Sequence, residues 1–323
     1  MFNTPVLFLI FNRPGSTQKV FDIIRQVKPR QLFVAADGPR LNVPAEYEKC
    51  NEVRQIIIDG VDWECDLKLL FRDKNIGCGA AVQGAIAWFF ENVEEGIILE
   101  DDTLPDISFF AYCRQMLELY RNDGRIWSIS GFNFGAENFF VDETYTFARM
   151  MNMWGWATWR RTHEKVDYNL SRWKAAVNKK LFTSLIVQDN LFDTDINWFD
   201  YWTNIFTQTS NSTMNTWDYQ WIYSQLLNRQ LTIYPSKNLV QNIGFAEDAT
   251  HTKNADSAIS KILRSSITGQ LHKKNVSTNY LFQNKFIKTV WCNINPVRNG
   301  FIKNSMFKLR QIKYLLKYRK ELY

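Results

Sequence analysis

The first hundred residues alternate between short, largely apolar runs and longer stretches whose apolar positions recur at helical spacing. Residues 5–11 (Pro-Val-Leu-Phe-Leu-Ile-Phe) are a continuous apolar run with the length of a strand covered on both faces, and 31–36, 67–71 and 96–99 read as the next three strands. Between them, a segment opened by Ser16 or Thr17 and reaching about Val27, then 46–59 and 79–92, read as helices. Val53, Ile56 and Ile57 share one side of the second, and Ala81, Ala85, Trp88 and Phe89 face inward on the third. Strand and helix in strict turn predict an α/β fold: a mostly parallel central sheet with helices on both faces.

In open sheets of that kind, ligands sit at the carboxyl ends of the strands. Here those ends carry Asn12-Arg13, Asp37-Gly38, Arg72 with Asn75 and Gly77, and Glu100-Asp101-Asp102. The last is the most telling, because Gly96-Ile97-Ile98-Leu99 runs straight into three acids. Like charges so close repel by roughly a kcal/mol per pair even in high dielectric. A divalent cation would relieve that repulsion, and hard carboxylate oxygens suit Mg²⁺ or Mn²⁺.

Downstream the pattern loosens. A helix is expected from Pro105 to about Tyr120 and a strand over 125–132. Residues 153–160 form a dense aromatic turn leading to a helix, and the boundaries within 163–215 are not legible. A helix follows over 217–228, with Asp218 in its first turn, then short strands at 231–234 and 239–241. The expected division is a domain over 1–256, with a nucleotide-binding half (1–102) and an acceptor half (103–256). A basic, partly amphipathic helical tail would occupy 257–323.

Charge sets that tail apart. The net +6 of the 323-residue chain is unevenly spread. Residues 261–323 hold 14 Lys and Arg against one acid, leaving 25 basic and 32 acidic residues upstream. Across 303–320, Met306, Leu309, Ile312 and Leu316 interleave with Lys308, Arg310, Lys313, Lys317, Arg319 and Lys320 at helical spacing. That is the pattern of a helix lying on an anionic membrane surface. The first eleven residues lack a basic n-region and a small-residue cleavage site, and no apolar run reaches the 18 residues of a span. Five scattered cysteines without a CxxC pair argue for a reducing cytosol. Together these features suggest a cytoplasmic protein held peripherally at the inner face of the cell membrane.

Several chemistries are excluded. No GxxxxGK[ST] is present, and Val82 stands where a dinucleotide fingerprint beginning at Gly77-Cys78-Gly79 needs its third glycine. There is no GxSxG elbow, and His163, His251 and His272 lack HExxH spacing. The acidic body and the absence of a DNA- or RNA-binding motif exclude nucleic acid. A nucleotide-type crevice with an acidic metal site remains.

The same residues resemble a nucleotide-diphospho-sugar glycosyltransferase of the GT-A fold, nearest to the inverting N-acetylglucosaminyltransferase I group and its bacterial relatives. The likeness rests on Phe11-Asn12-Arg13, Asp37, Ile98-Leu99-Glu100-Asp101-Asp102, Pro105-Asp106-Ile107-Ser108-Phe109-Phe110 and Trp127-Ser128-Ile129-Ser130-Gly131-Phe132-Asn133. Gly155-Trp156-Ala157, Trp217-Asp218 and Ala249-Thr250-His251 follow in the family's order, and the match spans about 4–252. It implies that Asp102 is the direct ligand of Mn²⁺ or Mg²⁺ on the donor diphosphate, a DXD-like role, with Asp101 on ribose or sugar. Asp37 would bind the base, commonly uracil, with Arg13 nearby. Thr250-His251 would lie on a loop closing over the diphosphate. Asp218 would be the general base on the acceptor hydroxyl, although Tyr219 stands where the family often has a second acid. Trp154, Trp156 and Trp217 could offer flat faces to a glycan or lipid-linked acceptor. The expected activity is metal-dependent, inverting transfer of a hexosyl or N-acetylhexosaminyl group, with UDP the expected carrier, in cell-surface polysaccharide synthesis. Two alternatives stay open: a nucleotidyltransferase that makes the sugar nucleotide, and a non-catalytic binding protein at the membrane.

Overall fold

A computed structural model describes residues 1–134, 144–173, 198–244 and 261–286. It is an α/β structure with a mostly parallel central sheet flanked by helices. In chain order the strands are β1 (Val6–Ile10), β2 (Gln31–Ala36), β3 (Asp66–Phe71), β4 (Glu95–Glu100), β5 (Thr103–Pro105), β6 (Ile126–Ser130), β7 (Tyr145–Ala148), β8 (Trp156–Trp159), β9 (Leu231–Pro235) and β10 (Val240–Asn242). The helices are α1 (Pro14–Val27), α2 (Pro44–Gly60), α3 (Cys78–Asn92), α4 (Ile107–Tyr120), α5 (Arg160–His163), α6 (Trp198–Ser210), α7 (Asp218–Asn228) and α8 (Tyr280–Phe286).

The eight-stranded sheet runs β3-β2-β1-β4-β8-β6-β9-β7, and β5 pairs with β10 in a separate two-stranded ribbon. β1 to β4 are all mutually parallel, with Val6 beside both Leu32 and Ile97, and Ala36 beside Phe71. The four polar strand ends therefore do lie on one edge, as the alternation requires. Successive residues of β1 feed opposite layers, which explains the absence of polar alternation in the sequence. Leu7 and Leu9 join Phe33, Ile98, Ala85 and Phe89 on the α3 side. Val6, Phe8 and Ile10 join Leu32, Val34, Val20, Ile24, Ile57 and Phe109 on the side of α1, α2 and α4.

The aromatic stretch at 153–160 departs from expectation. It is not a turn into a sizeable helix: β8 is a buried strand, antiparallel to both β4 and β6, and α5 after it is a single turn. All four residues of β8 are buried, so its sequence shows neither period-2 nor helical periodicity. The insertion makes the sheet mixed, since β6 and β9 are again parallel beyond it.

Residues 261–279 run across the body without helix or strand. Ile267 N donates to Ser108 Oγ at 3.0 Å, Leu271 N to Gln115 Oε1 at 2.9 Å and Lys274 N to Tyr120 Oη at 3.0 Å, all on α4. Asn279 N then reaches Phe147 O on β7 at 2.9 Å, and Phe282 of α8 is fully buried. The amphipathic pattern at 303–320 lies outside the described residues. Among the described residues, no helix is long and apolar enough to cross a membrane.

Candidate functional site

β4 delivers its acids through a tight turn. Glu100 N donates to Thr103 Oγ1 at 2.9 Å, and that hydroxyl donates back to Glu100 O at 3.0 Å, closing the loop in which Asp101 and Asp102 sit. From the neighbouring strand end, Phe11 N donates to Asp101 Oδ2 at 3.2 Å. Arg13, at the head of α1, reaches Asp101 Oδ1 at 3.1 Å and Asp102 Oδ2 at 2.8 Å. On the far side, Ile243 N donates to Asp102 O at 2.8 Å, tying the residues just after β10 to the same turn. Gly244 follows so closely that a Cβ there would lie 2.3 Å from Asp102 Oδ2.

One guanidinium does not neutralise this cluster. Burial, then the charge of Asp102, pushes the Asp101 carboxyl up to about 7, against the pull of Arg13 and the Phe11 N–H. Glu100 is raised well above the usual carboxylate range by burial, then by Asp102, Asp101 and Asp218. Burial works against the Arg13 charge, but Asp101, Asp102 and Glu100 outweigh it and hold that pKa up. Asp218 is thus an electrostatic neighbour of the β4 acids although more than a hundred residues separate them. Its Oδ1 accepts from the Thr216 hydroxyl and, at 2.9 Å, from Tyr219 N.

Asp37 is turned toward its own protein. It is buried, and its carboxylate accepts from Gly38 N at 2.9 Å and from Ile76 N and Gly77 N at 3.2 Å. Asn75 Nδ2 donates to Gly38 O at 2.9 Å, and the Arg72 backbone continues the pairing to Ala36 O at 3.0 Å. The Arg72 guanidinium lies over Gly84 of α3. Asp37, Asn75 and Gly77 thus join the β2 and β3 loops at the carboxyl edge of the sheet.

Of the aromatic trio, Trp156 has no exposed surface and Trp217 keeps 5%. Their rings stack on each other at 6.1 Å, and Trp221 meets Trp156 in a T-shaped contact at 4.9 Å, so Trp156 is enclosed in the core. Trp154, packed edge-on against Phe132 at 4.7 Å, is the member that retains exposed surface. Thr250 and His251 lie outside the described residues.

No family model matches the chain, and no curated protein does. Among solved structures, similarity extends to the crystal structure of HddC from Yersinia pseudotuberculosis, at 10% identity and a TM-score of 0.26. The aligned part covers 36% of this chain and 55% of that one, a likeness too slight to carry a functional argument.

Sequence reasoning missed Glu46. It is 2% exposed and accepts from Asn12 Nδ2 at 2.7 Å, Arg40 N at 2.7 Å and Arg40 Nε at 3.0 Å. It therefore locks the β1–α1 loop, which carries Arg13, to the loop after β2. A Glu in the first turn of a helix looks like ordinary complement to the helix dipole, so no local signal marked it. Asn215 was missed as well: its Oδ1 accepts from Gly79 N at 2.9 Å.

A divalent cation fits this chemistry. Among the described residues no three His, Cys, Asp or Glu side chains converge as a cage, but Mg²⁺ is commonly held by one or two carboxylates plus substrate phosphates. A cation beside the turn would oppose the like-charge repulsion that, after burial, raises Asp101 and Glu100, and would favour their ionised forms.

Proposed function

We propose that this protein is a metal-dependent, inverting glycosyltransferase of the GT-A type that uses a nucleotide-diphosphate sugar. The observation that carries the reading is the docking of the Asn215–Asp218 segment on the Gly77–Gly79 turn, where Asn215 Oδ1 accepts from Gly79 N at 2.9 Å. It brings a carboxylate from the second half of the chain into the field of the acidic strand end, where Asp218 adds to the repulsion on Glu100. Such a pairing would supply a base and a charge-stabilising group for in-line displacement at a sugar carbon.

Asp102 would hold Mn²⁺ or Mg²⁺, which would supply charge neutralisation to a departing nucleoside diphosphate. Arg13 holds the Asp101 and Asp102 carboxylates in place and keeps its positive charge beside them. Asp218 accepts the proton of the acceptor hydroxyl as that oxygen attacks the anomeric carbon, giving inversion. The Thr216 hydroxyl and Tyr219 N–H both bind one oxygen of Asp218, which orients the carboxylate and leaves Oδ2 as the proton-accepting atom. Trp154 offers the exposed aromatic surface for an acceptor sugar. Peripheral attachment at the inner membrane face through the basic tail belongs to the same proposal.

The deciding assay is hydrolysis and transfer with a panel of nucleotide sugars and Mn²⁺, scored by the nucleoside diphosphate released. Release of one diphosphate with sugar transfer supports the reading. Pyrophosphate release from a nucleoside triphosphate would replace it with sugar-nucleotide synthesis, and tight donor binding without turnover would replace it with a binding role. Removing residues 298–323 should shift protein from membranes to the soluble fraction, and an unchanged partition would reject the membrane contact.

A further inference from the structure

The pair of glycines at the start of α3 has the look of a phosphate cradle, but the space around it is filled by protein. Gly77 adopts φ +86°, a conformation that L side chains rarely adopt, and a Cβ on it would lie 3.0 Å from Asn215 Nδ2. A Cβ on the buried Gly79 would lie 2.8 Å from Thr216 O and 3.0 Å from Asn215 Oδ1. The Gly79 N–H is spent on Asn215 Oδ1 at 2.9 Å. From the other direction, Asp37 accepts from Ile76 N and Gly77 N, which fixes the turn to the end of β2. The segment that rests on this turn leads directly into Asp218. Thr216 O accepts from Gln220 Nε2 at 3.0 Å, and its hydroxyl donates to Asp218 Oδ1.

We propose that Gly79 and Asn215 are positioning residues for Asp218, the Gly77–Gly79 turn being the seat on which the base-bearing segment of the second half docks against the nucleotide half. The inference rests on the glycosyl-transfer reading for its catalytic consequence. Gly79 allows the backbone of Thr216 to approach within contact distance, and Asn215 latches it. The path runs from Asp37 through the turn to Asn215 and Thr216, so Asp218 stands at a fixed place relative to the β4 acids. Cys78, between the two glycines, feels both Glu100 and Asp218, as expected if the seat lies between them.

Full-length Asn215→Ala and Gly79→Ala are compared with wild type by steady-state kinetics on the donor found by the panel and by amide hydrogen exchange at Gly79. Asn215 is an exposed side chain, so its removal leaves the fold intact. Loss of one partly exposed hydrogen bond should lower kcat about three- to tenfold and speed Gly79 exchange similarly. KM for the donor should stay within about twofold, because the donor's own contacts remain. Gly79→Ala, which displaces Thr216, should cost more, toward about a hundredfold in kcat. Asn215→Asp keeps an acceptor oxygen in place and should restore Gly79 protection. Wild-type kcat in both alanine variants would overturn the proposal, as would a rise in donor KM at unchanged kcat. If wild type turns over no donor, the transfer reading fails and the catalytic role of the latch fails with it. The Gly79 exchange rates still report whether the latch itself exists.

Discussion

Two buried carboxylate sites share one edge of this sheet and are treated in opposite ways. Glu46 is saturated: Asn12 and Arg40 satisfy its oxygens, and although burial works against its charge, the Arg40 and Asn12 hydrogen bonds hold its pKa below the usual range. The Glu100–Asp102 turn is starved, with Arg13 shared between two carboxylates and the next cationic help absent from its hydrogen bonds among the described residues. A protein that satisfies a buried acid so fully at one end of the Asn12–Arg13 loop leaves Glu100 and Asp101 with raised pKa values at the other. Satisfaction marks a brace, whereas perturbed carboxylates at a strand end mark a candidate functional site, here proposed to take a cation.

The comparison breaks most visibly in turnover. Asp102→Ala should reduce kcat/KM for donor by about a hundredfold or more, since a metal contributes several kcal/mol of charge stabilisation. Its thermal midpoint should stay near wild type, because the variant removes one like charge from a crowded cluster. Activity with the purified donor, alongside a melting curve, checks both halves. Glu46→Ala should do the reverse. It strands Asn12 and the Arg40 backbone and should cost about 1–3 kcal/mol in urea unfolding, discounted for the exposed Arg40 side chain. Donor turnover should fall less than in Asp102→Ala.

The pH slopes of the two sites should have opposite signs. Glu46 has a depressed folded pKa, so its contribution is present above the unfolded value near 4.3 and is lost as pH falls through the folded one. Asp101 has a raised folded pKa of about 7, so the folded state binds the extra proton. Its ionisation therefore removes stability progressively as pH rises from about 4 to about 7, on the order of 4 kcal/mol in total. Asp101→Asn should flatten that loss, becoming more stable than wild type at pH 8 and no more stable at pH 4. Unfolding free energies across that range would decide it, and parallel wild-type and variant curves would show that Asp101 bears no such strain.

How much of this was legible from sequence follows from which interactions are local. The four parallel strands were legible because β1, β2 and β4 are buried along most of their length and, with the half-exposed edge strand β3, are separated by helices. Their shared topology alone brings Arg13, Asp37, Arg72 and the β4 acids to one edge. β8 was not, since a strand inserted between β4 and β6 owes its place to two distant partners and its own residues are uniformly buried. Asp37 shows the limit at a single residue: its position at a strand end was readable, but not that Ile76 and Gly77 would claim its oxygens. Glu46, Asn215 and Gly79 act through contacts 34 to 136 residues apart in sequence, which no local pattern encodes.

In the proposed function the Glu100–Asp102 turn is a cation-dependent seat for a nucleoside diphosphate, with Asp102 as the ligand of the cation. Thermal unfolding at pH 8 with UDP, with Mn²⁺, and with both tests it most directly, since a ligand that binds only the folded state raises its stability by about 2.7 kcal/mol at a hundred times Kd. Wild type should gain stability from the pair well beyond the sum of the two alone, and Asp102→Ala should lose that synergy. Equal shifts in wild type and Asp102→Ala, or no shift with UDP or any other nucleoside diphosphate, would contradict the account.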